Sequence, residues 1–204
     1  MEAKNVFAHI EATIRSGVGP IDGMQLVLRY CETNAPKADW HRIRVLPLEQ
    51  DLLRLEAWLA EVLTNEPPPQ TIDGLWFGLF EPVRDDGSES LDMYVCGSDH
   101  YDPTEEWHDW AVNPVYWPDG RYATSEVLHG IKAATNLKPE LPSNLSDYAL
   151  SLAYSGLFVS SFARRNARIL LGKAASRGLV VGHDSGDSIK IGVVDGNGFR
   201  SYLQ

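Results

Sequence analysis

The chain has 204 residues, and its composition of 44% hydrophobic, 23% charged and 10% aromatic residues is that of a globular protein, which excludes disorder as the main state. Lys and Arg total 18 against 28 Asp and Glu, so the formal net charge is −10. This charge excludes a general nucleic-acid binder, which needs a basic surface to neutralise phosphates, and it argues against docking on an anionic membrane.

The N-terminal segment 1–16 has no signal-peptide core, and the uncharged run 148–163 is shorter than the roughly 20 apolar residues of a membrane span. We therefore predict a cytoplasmic protein of bacterial type, which its acidity keeps soluble. The alternative is that an acidic face attracts a basic protein partner. The two cysteines, Cys31 and Cys96, are too few for a disulfide framework and lie in segments predicted as strands, so we expect two reduced, buried thiols.

The first third of the chain is predicted to contain one helix followed by two strands. Segment 2–15 carries apolar residues at four-residue spacing with charges opposite them, which predicts an amphipathic helix. Segments 24–31 and 41–46 each place apolar residues at every second position, which predicts a strand in both.

A helix and a hairpin are predicted next. Apolar residues repeat at helical spacing through segment 48–65, and three consecutive prolines from Pro67 end the helix. We expect one face of this helix to be buried through Leu52, Leu55, Trp58, Leu59 and Val62. Segments 75–80 and 91–96 are predicted as the strands of a long hairpin, because the turn-forming cluster 84–88 lies between them.

The second half of the chain is predicted to contain two helices and a β tail. One helix runs from Thr124 or Ser125 to Asn136, and a longer, largely buried helix starts at Ser143 or Asn144 and continues past Phe162. A Pro-containing segment lies between them. The tail is predicted as a small antiparallel meander with strands at 179–181, 189–194 and 199–203.

These elements together predict an α+β fold with a mainly antiparallel sheet, helices packed on one face and a C-terminal β-meander. No alternation of strands and helices of the kind that builds a doubly wound parallel sheet is present. We predict a single domain over 1–204. The alternative is two subregions, 1–136 and 144–204, joined by the segment 137–143.

The densest ionisable cluster of the sequence lies between residues 99 and 109 and contains Asp99, His100, Asp102, Glu105, Glu106, His108 and Asp109. Glu105 and His108 have the i, i+3 spacing that helical metal sites use, so a metal-assisted hydrolase with His100, Glu105 and His108 as ligands is the alternative function. No His-Glu-x-x-His occurs, and a solvated acidic loop is the simpler interpretation. We predict neither a metal nor another cofactor.

Motifs of catalysis and phosphate binding are absent from the sequence, which has no Gly-x-Ser-x-Gly, no P-loop and no Cys-x-x-Cys. His183, Asp184 and Ser185 are adjacent, whereas the members of a catalytic triad converge from separate segments, so a hairpin turn is the better interpretation. The sequence therefore favours a protein that is not an enzyme.

Aromatic residues crowd into a loop-like segment without helical or strand period, at Trp107, Trp110, Tyr116, Trp117 and Tyr122. Tryptophan and tyrosine on a proline-stiffened loop are favoured at binding hot spots, whereas in the alternative interpretation the rings close the edge of the core. We predict a partner-binding surface that consists of Trp107, Trp110, Trp117, Asp102, Glu105, Glu106 and Asp109.

Two functional hypotheses follow from these patterns. The first is a non-catalytic cytosolic protein that engages a protein partner through the acidic, aromatic-rich loop. In size, acidity and lack of a catalytic motif the chain resembles the immunity proteins with which bacteria neutralise their own toxins, a similarity of type that rests on no shared motif. The second is the metal-assisted hydrolase. The first predicts a protein partner and no metal, and the second predicts a bound divalent metal.

Overall fold

A computed structural model describes residues 3–35, 40–83, 87, 89–105, 111, 113–136, 143–184 and 186–202. The described residues form six helices: α1 Ala3–Arg15, α2 Pro20–Asn34, α3 His41–Arg44, α4 Leu48–Asn65, α5 Glu126–Asn136 and α6 Ser143–Leu171. They form six strands: β1 Gly74–Phe80, β2 Asp92–Ser98, β3 Tyr122–Ala123, β4 Ser176–His183, β5 Ser188–Asp195 and β6 Gly198–Ser201.

The six strands form one sheet in the order β3-β2-β1-β4-β5-β6. All neighbours in it are antiparallel except β1 and β4, which are parallel. The predicted α+β class is confirmed, as are the β1–β2 hairpin and the C-terminal meander of β4, β5 and β6. The parallel pair was not foreseen; it arises because the chain between β1 and β4 includes α5 and α6, which make the long crossover that parallel strands need.

The sheet joins strands from the two subregions considered above. β1 and β4 are in register from Gly74 opposite Gly178 to Leu79 opposite His183. The linker residues 137–142 lie outside the described residues, so the choice between one domain and two subregions stays a prediction. No helix of the described residues is long and apolar enough to cross a membrane.

The prediction of a strand at 24–31 is wrong, because this segment lies within α2. Its buried residues have the three- and four-residue spacing of one helix face: Met24, Val27, Leu28 and Cys31. Apolar residues also occur at every second position of this segment, but one of them, Leu26, is 42% exposed and does not belong to the buried face. Pro20 begins the helix, a position where its missing N–H costs no hydrogen bond.

The prediction of a strand at 41–46 is also wrong. Residues His41–Arg44 form the short helix α3, in which Ile43 is buried, whereas Val45 just beyond it is 63% exposed. Cys31 lies in helix α2 and not in a strand, whereas Cys96 lies in strand β2 as predicted. Both cysteines are free and buried, which confirms the prediction of two buried thiols.

α6 lies at the centre of the helical layer, and residues 149–160 are buried all round the helix. Small residues allow this close packing: a Cβ on Gly156 would lie 2.5 Å from Cδ1 of Ile14, a side chain of α1. The helices pack against Leu75, Phe77 and Leu79 of β1, together with the residues of other strands that point to the same side. This is the main core.

Two buried polar residues connect the elements. The carboxylate of Asp51 on α4 accepts hydrogen bonds from Ser125 Oγ (2.5 Å), Glu126 N (2.8 Å) and Tyr154 Oη (2.7 Å), and so links α4 to the start of α5 and to α6. Arg177 at the start of β4 is fully buried, and its guanidinium donates to the carbonyls of Pro68 (2.9 Å), Pro69 (2.6 Å), Ile72 (2.8 Å) and Leu170 (2.7 Å).

Candidate binding surface

The face of the sheet that points away from the helices has its own side-chain layer. Trp76, Cys96 and Val180, from three adjacent strands, form a small buried cluster there. Tyr94, Tyr101 and Ala111 pack on this cluster, so aromatic rings and loop residues cover this face. We call it the outer face.

Glycines in the sheet make room for these rings. A Cβ on Gly78 of β1 would overlap the ring of Tyr94, and one on Gly182 of β4 would overlap the ring of Trp76. Glycine allows close approach of a neighbouring group within a strand, so each ring rests on backbone instead of on a side chain. The positions of the outer-face rings are therefore fixed by the strands beneath them.

Four rings at the β1–β2–β3 end of the outer face form an aromatic cluster, which consists of Phe80, Tyr94, Trp117 and Tyr122. Tyr94 stacks on Trp117 with ring centroids 6.2 Å apart and an interplanar angle of 20°. The ring centroid of Tyr122 lies 5.4 Å from that of Phe80 and 6.1 Å from that of Tyr94. Trp117 is nevertheless 47% exposed and Tyr122 is 54% exposed, so the cluster presents large ring surfaces to solvent.

Two further contacts hold the exposed rings in place. The indole N–H of Trp117 donates to the carbonyl of Pro114 at 2.9 Å. The guanidinium carbon of Arg121 lies 5.5 Å from the ring centroid of Trp117 and 4.7 Å from that of Tyr122, which is cation–π distance. The cluster is thus exposed but preorganised.

Asp184, in the turn between β4 and β5, lies beside the aromatic cluster. Its Oδ1 accepts a hydrogen bond of 2.6 Å from the hydroxyl of Tyr94, and the indole of Trp76 also bonds to the carboxylate. Although the residue as a whole is exposed, partial burial of the carboxyl raises its pKa, and the two hydrogen bonds oppose that shift. Burial also raises the pKa of Tyr94, and the neighbouring carboxylate adds to the effect.

Three of the seven predicted partner-binding residues lie in the described part of the chain: Trp117, Asp102 and Glu105. The other four, Glu106, Trp107, Asp109 and Trp110, lie outside it. Asp102 Oδ1 accepts from Thr104 N (2.7 Å) and Thr104 Oγ1 (2.6 Å), and these bonds lower the pKa of Asp102. The carboxylate of Asp102 therefore stabilises the turn of its own loop.

Among the predicted residues that are described, Asp102 and Glu105 lie over a different strand of the outer face from Trp117. Lys190 of β5 donates to the carbonyls of Pro103 (2.7 Å) and Glu105 (2.5 Å), which fastens the loop of Asp102 and Glu105 over β5. Trp117 contacts Tyr94 of β2 instead. The described acidic loop residues and Trp117 are thus parts of one face without forming a single patch.

The metal site of the alternative hypothesis is described only in part. His100 Nε2 lies 3.5 Å from Glu105 Oε1, so two of the three proposed ligands are neighbours, whereas His108 lies outside the described residues. Glu126 and His129 have the same i, i+3 spacing, but Glu126 pairs with Arg54 at 2.5 Å and His129 lies 3.3 Å from Ser90 Oγ. Within the described residues no group of three or more His, Cys, Asp or Glu is placed to hold a metal. The metal site stays an untested alternative.

The described residues include two serine–histidine pairs, Ser90–His129 and Ser151–His183, and both serines are fully buried. Ser151 Oγ lies 3.0 Å from His183 Nε2, and the ring of Tyr148 stacks on His183 with centroids 3.9 Å apart. Ser151 is 0% and His183 is 5% exposed. A nucleophile must reach its substrate, so this pair in its present position serves packing of α6 on β4.

A cleft of about 610 Å³ opens at the opposite end of the outer face, and its lining includes Asp73, Tyr101, Arg200 and Tyr202. Arg200 is already ion-paired with Asp195 at 2.7 Å. The lining thus contains two tyrosines and one carboxylate, that of Asp73.

Comparison of the chain with models of protein families, with curated proteins and with solved structures found no match. Exposed, fixed rings beside a carboxylate are suited to recognition by contact, in which neither a nucleophile nor a metal is needed.

Proposed function

We propose that the chain is a non-catalytic binding protein that engages a protein partner through the aromatic cluster and the adjoining outer face. The observation that supports this most is the exposure of Trp117 and Tyr122, at 47% and 54%, in positions fixed by ring stacking and by a hydrogen bond. Rings that closed the core edge would be buried. Rigid, exposed aromatic residues supply large contact area at little cost in conformational entropy, which is why they recur as interface hot spots.

The charge of the chain sets the kind of partner that this surface would attract. A net charge of −10 favours encounter with a basic protein, since long-range attraction raises the association rate while the aromatic contacts slow dissociation. A binding protein of this kind acts by covering its partner.

The immunity-type role is the specific form of the proposal. A protein that neutralises a toxin by masking needs affinity and a stable surface, and it needs no reactive group. Acidity, fixed exposed rings and the burial of the Ser151–His183 pair all suit masking better than chemistry. The proposed partner is thus a basic toxin made by the same cell.

The proposal is tested with a tagged chain in lysate of the organism that encodes it. We expect the wild-type protein to retain one partner in stoichiometric amount, and Trp117→Ala to retain at least about 30-fold less, because a hot-spot tryptophan contributes about 2 kcal/mol or more to binding. Expression of the retained partner should arrest growth of a host cell. Co-expression of the wild-type chain, but not of Trp117→Ala, should restore growth.

The matched control is Leu53→Ala, which removes another exposed apolar side chain, 63% exposed, on α4. Capture by this variant should equal that of the wild type. Both variants are first checked for unchanged thermal unfolding. Undiminished capture by Trp117→Ala and by Tyr122→Ala would remove the aromatic cluster from the interface, and a retained partner that does not arrest growth would contradict the immunity-type role.

A further inference from the structure

Asp184 has acceptor capacity that the described residues leave open. A carboxylate offers about four lone-pair sites, and the hydroxyl of Tyr94 and the indole of Trp76 account for two hydrogen bonds. Both donors are neutral. Among the described residues no Lys, Arg or His lies within ion-pair distance of Asp184, and the residue is exposed. Its charge is therefore open to a cation from solution.

The rings beside Asp184 are suited to the same kind of ligand. The face of an aromatic ring carries negative electrostatic potential, and cations bind over it, most favourably over tryptophan. The protein already uses the cluster in this way, since Arg121 lies over Trp117 and Tyr122. Tyr94 joins the two features, because its ring stacks on Trp117 and its hydroxyl bonds to Asp184.

We propose that the partner places an arginine side chain on the outer face, where its guanidinium forms an ion pair with Asp184 and lies against the rings of Tyr94 and Trp117. This inference rests on the proposed function and names the chemistry by which the partner is recognised. Arginine fits better than lysine because its planar guanidinium can stack on a ring and bond to a carboxylate at the same time.

The first test uses wild-type protein and two small probes, Nα-acetyl-arginine methylamide and its uncharged isostere Nα-acetyl-citrulline methylamide. Binding is followed by NMR through the indole N–H signal of Trp117. We expect a saturable shift with the arginine probe and an affinity for the citrulline probe that is lower by about fivefold or more, since the charge is lost from both the ion pair and the cation–π contact. Equal affinity for both probes would overturn the inference.

The second test separates Asp184 from the general negative field of the protein. Asp184→Asn should lower the affinity for the arginine probe by about fivefold. The matched control Asp187→Asn removes the same charge from the same β4–β5 turn and should lower this affinity by about twofold or less. Unchanged thermal unfolding of both variants is checked first. An equal loss of affinity in the two variants would show that the probe is attracted by the general negative charge, and it would overturn the proposed ion pair with Asp184.

Failure of the arginine contact can be distinguished from failure of the proposed function. If neither probe binds but capture of the partner still depends on Trp117, the arginine contact is wrong and the proposed function stands. If the arginine probe binds at Asp184 but capture is independent of Trp117, the assignment of this cation to a protein partner is wrong together with the proposed function.

Discussion

Arg177 is the largest fully buried side chain in the described part of the protein. A buried cation is unfavourable unless hydrogen bonds replace its hydration, and here four carbonyls do so. Burial lowers the pKa of the guanidinium, but an arginine keeps its proton in proteins. One acceptor, the carbonyl of Leu170, belongs to the last turn of α6, where the helix dipole favours positive charge. Arg177 thus ties β4 to the end of α6 and to the segment before β1.

We expect Arg177→Met to lower the free energy of unfolding by about 3 kcal/mol or more, because each buried carbonyl left without a donor costs about 1–3 kcal/mol. Urea denaturation measures this. Arg168→Met, a change of an exposed arginine on α6, is the control and should stay within about 0.5 kcal/mol of the wild type. A loss below about 1 kcal/mol for Arg177→Met would show that water takes the place of the guanidinium.

At the scale of single residues, the sequence indicated Trp117 as a candidate binding residue but left open whether its ring is exposed, and it did not indicate Asp184 or Tyr94 as site residues. Asp184 was interpreted as a turn residue, which is correct and hides its contact with a ring 90 positions earlier. Tyr94 alternates with buried Met93 and Val95, so its outward direction was predictable, whereas its contact with Asp184 depended on the unforeseen pairing of β1 with β4. Non-local contacts of this kind need the strand order.

The elements differ in how well their sequence specified them. α4 was predicted over its full length because its apolar period fits a helix alone and prolines end it. α2 was missed because the same residues satisfy both a two-residue and a helical period. The helical pattern prevails because it buries Val27 and Cys31 together with Met24, whereas strict alternation would point Val27 and Cys31 to the side opposite Met24.

The two faces of α4 give a matched test of the helix assignment. Leu59 is fully buried, so Leu59→Ala should lower the free energy of unfolding by about 2–5 kcal/mol, the range for a buried leucine. Leu53 on the same helix is 63% exposed, so Leu53→Ala should change stability by about 0.5 kcal/mol or less. Similar losses for the two variants, measured by urea denaturation, would mean that the buried face is misplaced.

At the scale of the whole molecule, the two thiols lie on opposite faces of the sheet: Cys31 belongs to the main core and Cys96 to the outer-face cluster. Burial raises the pKa of Cys31 from its ordinary 9.0 to about 11 and that of Cys96 to about 12, with a smaller contribution from neighbouring carboxylates. Folded thiols therefore keep their protons to higher pH than unfolded ones. Their contribution to stability is complete below pH 9.0 and is lost as the pH rises through the folded values.

We accordingly expect the free energy of unfolding to fall as the pH rises from 9.0 towards about 11, and to fall less steeply in the double variant Cys31→Ala, Cys96→Ala. Urea denaturation at several pH values measures both slopes. The double variant will be less stable at every pH because two core side chains are shortened, so the comparison is between slopes. Equal slopes would mean that the loss of unfolding free energy at high pH is caused by other groups, such as the buried tyrosines.

The position of β4 in the sheet has a consequence for the synthesis of the protein. β1 and β2 are complete once residue 98 has been made, but the other neighbour of β1 is β4, which begins at Ser176. Until then a growing chain carries an apolar strand with one open edge, and such edges pair readily with other chains. The ribosome must therefore deliver most of the polypeptide before this edge is closed, and the nascent protein is a natural client for the chaperones that shield exposed strands.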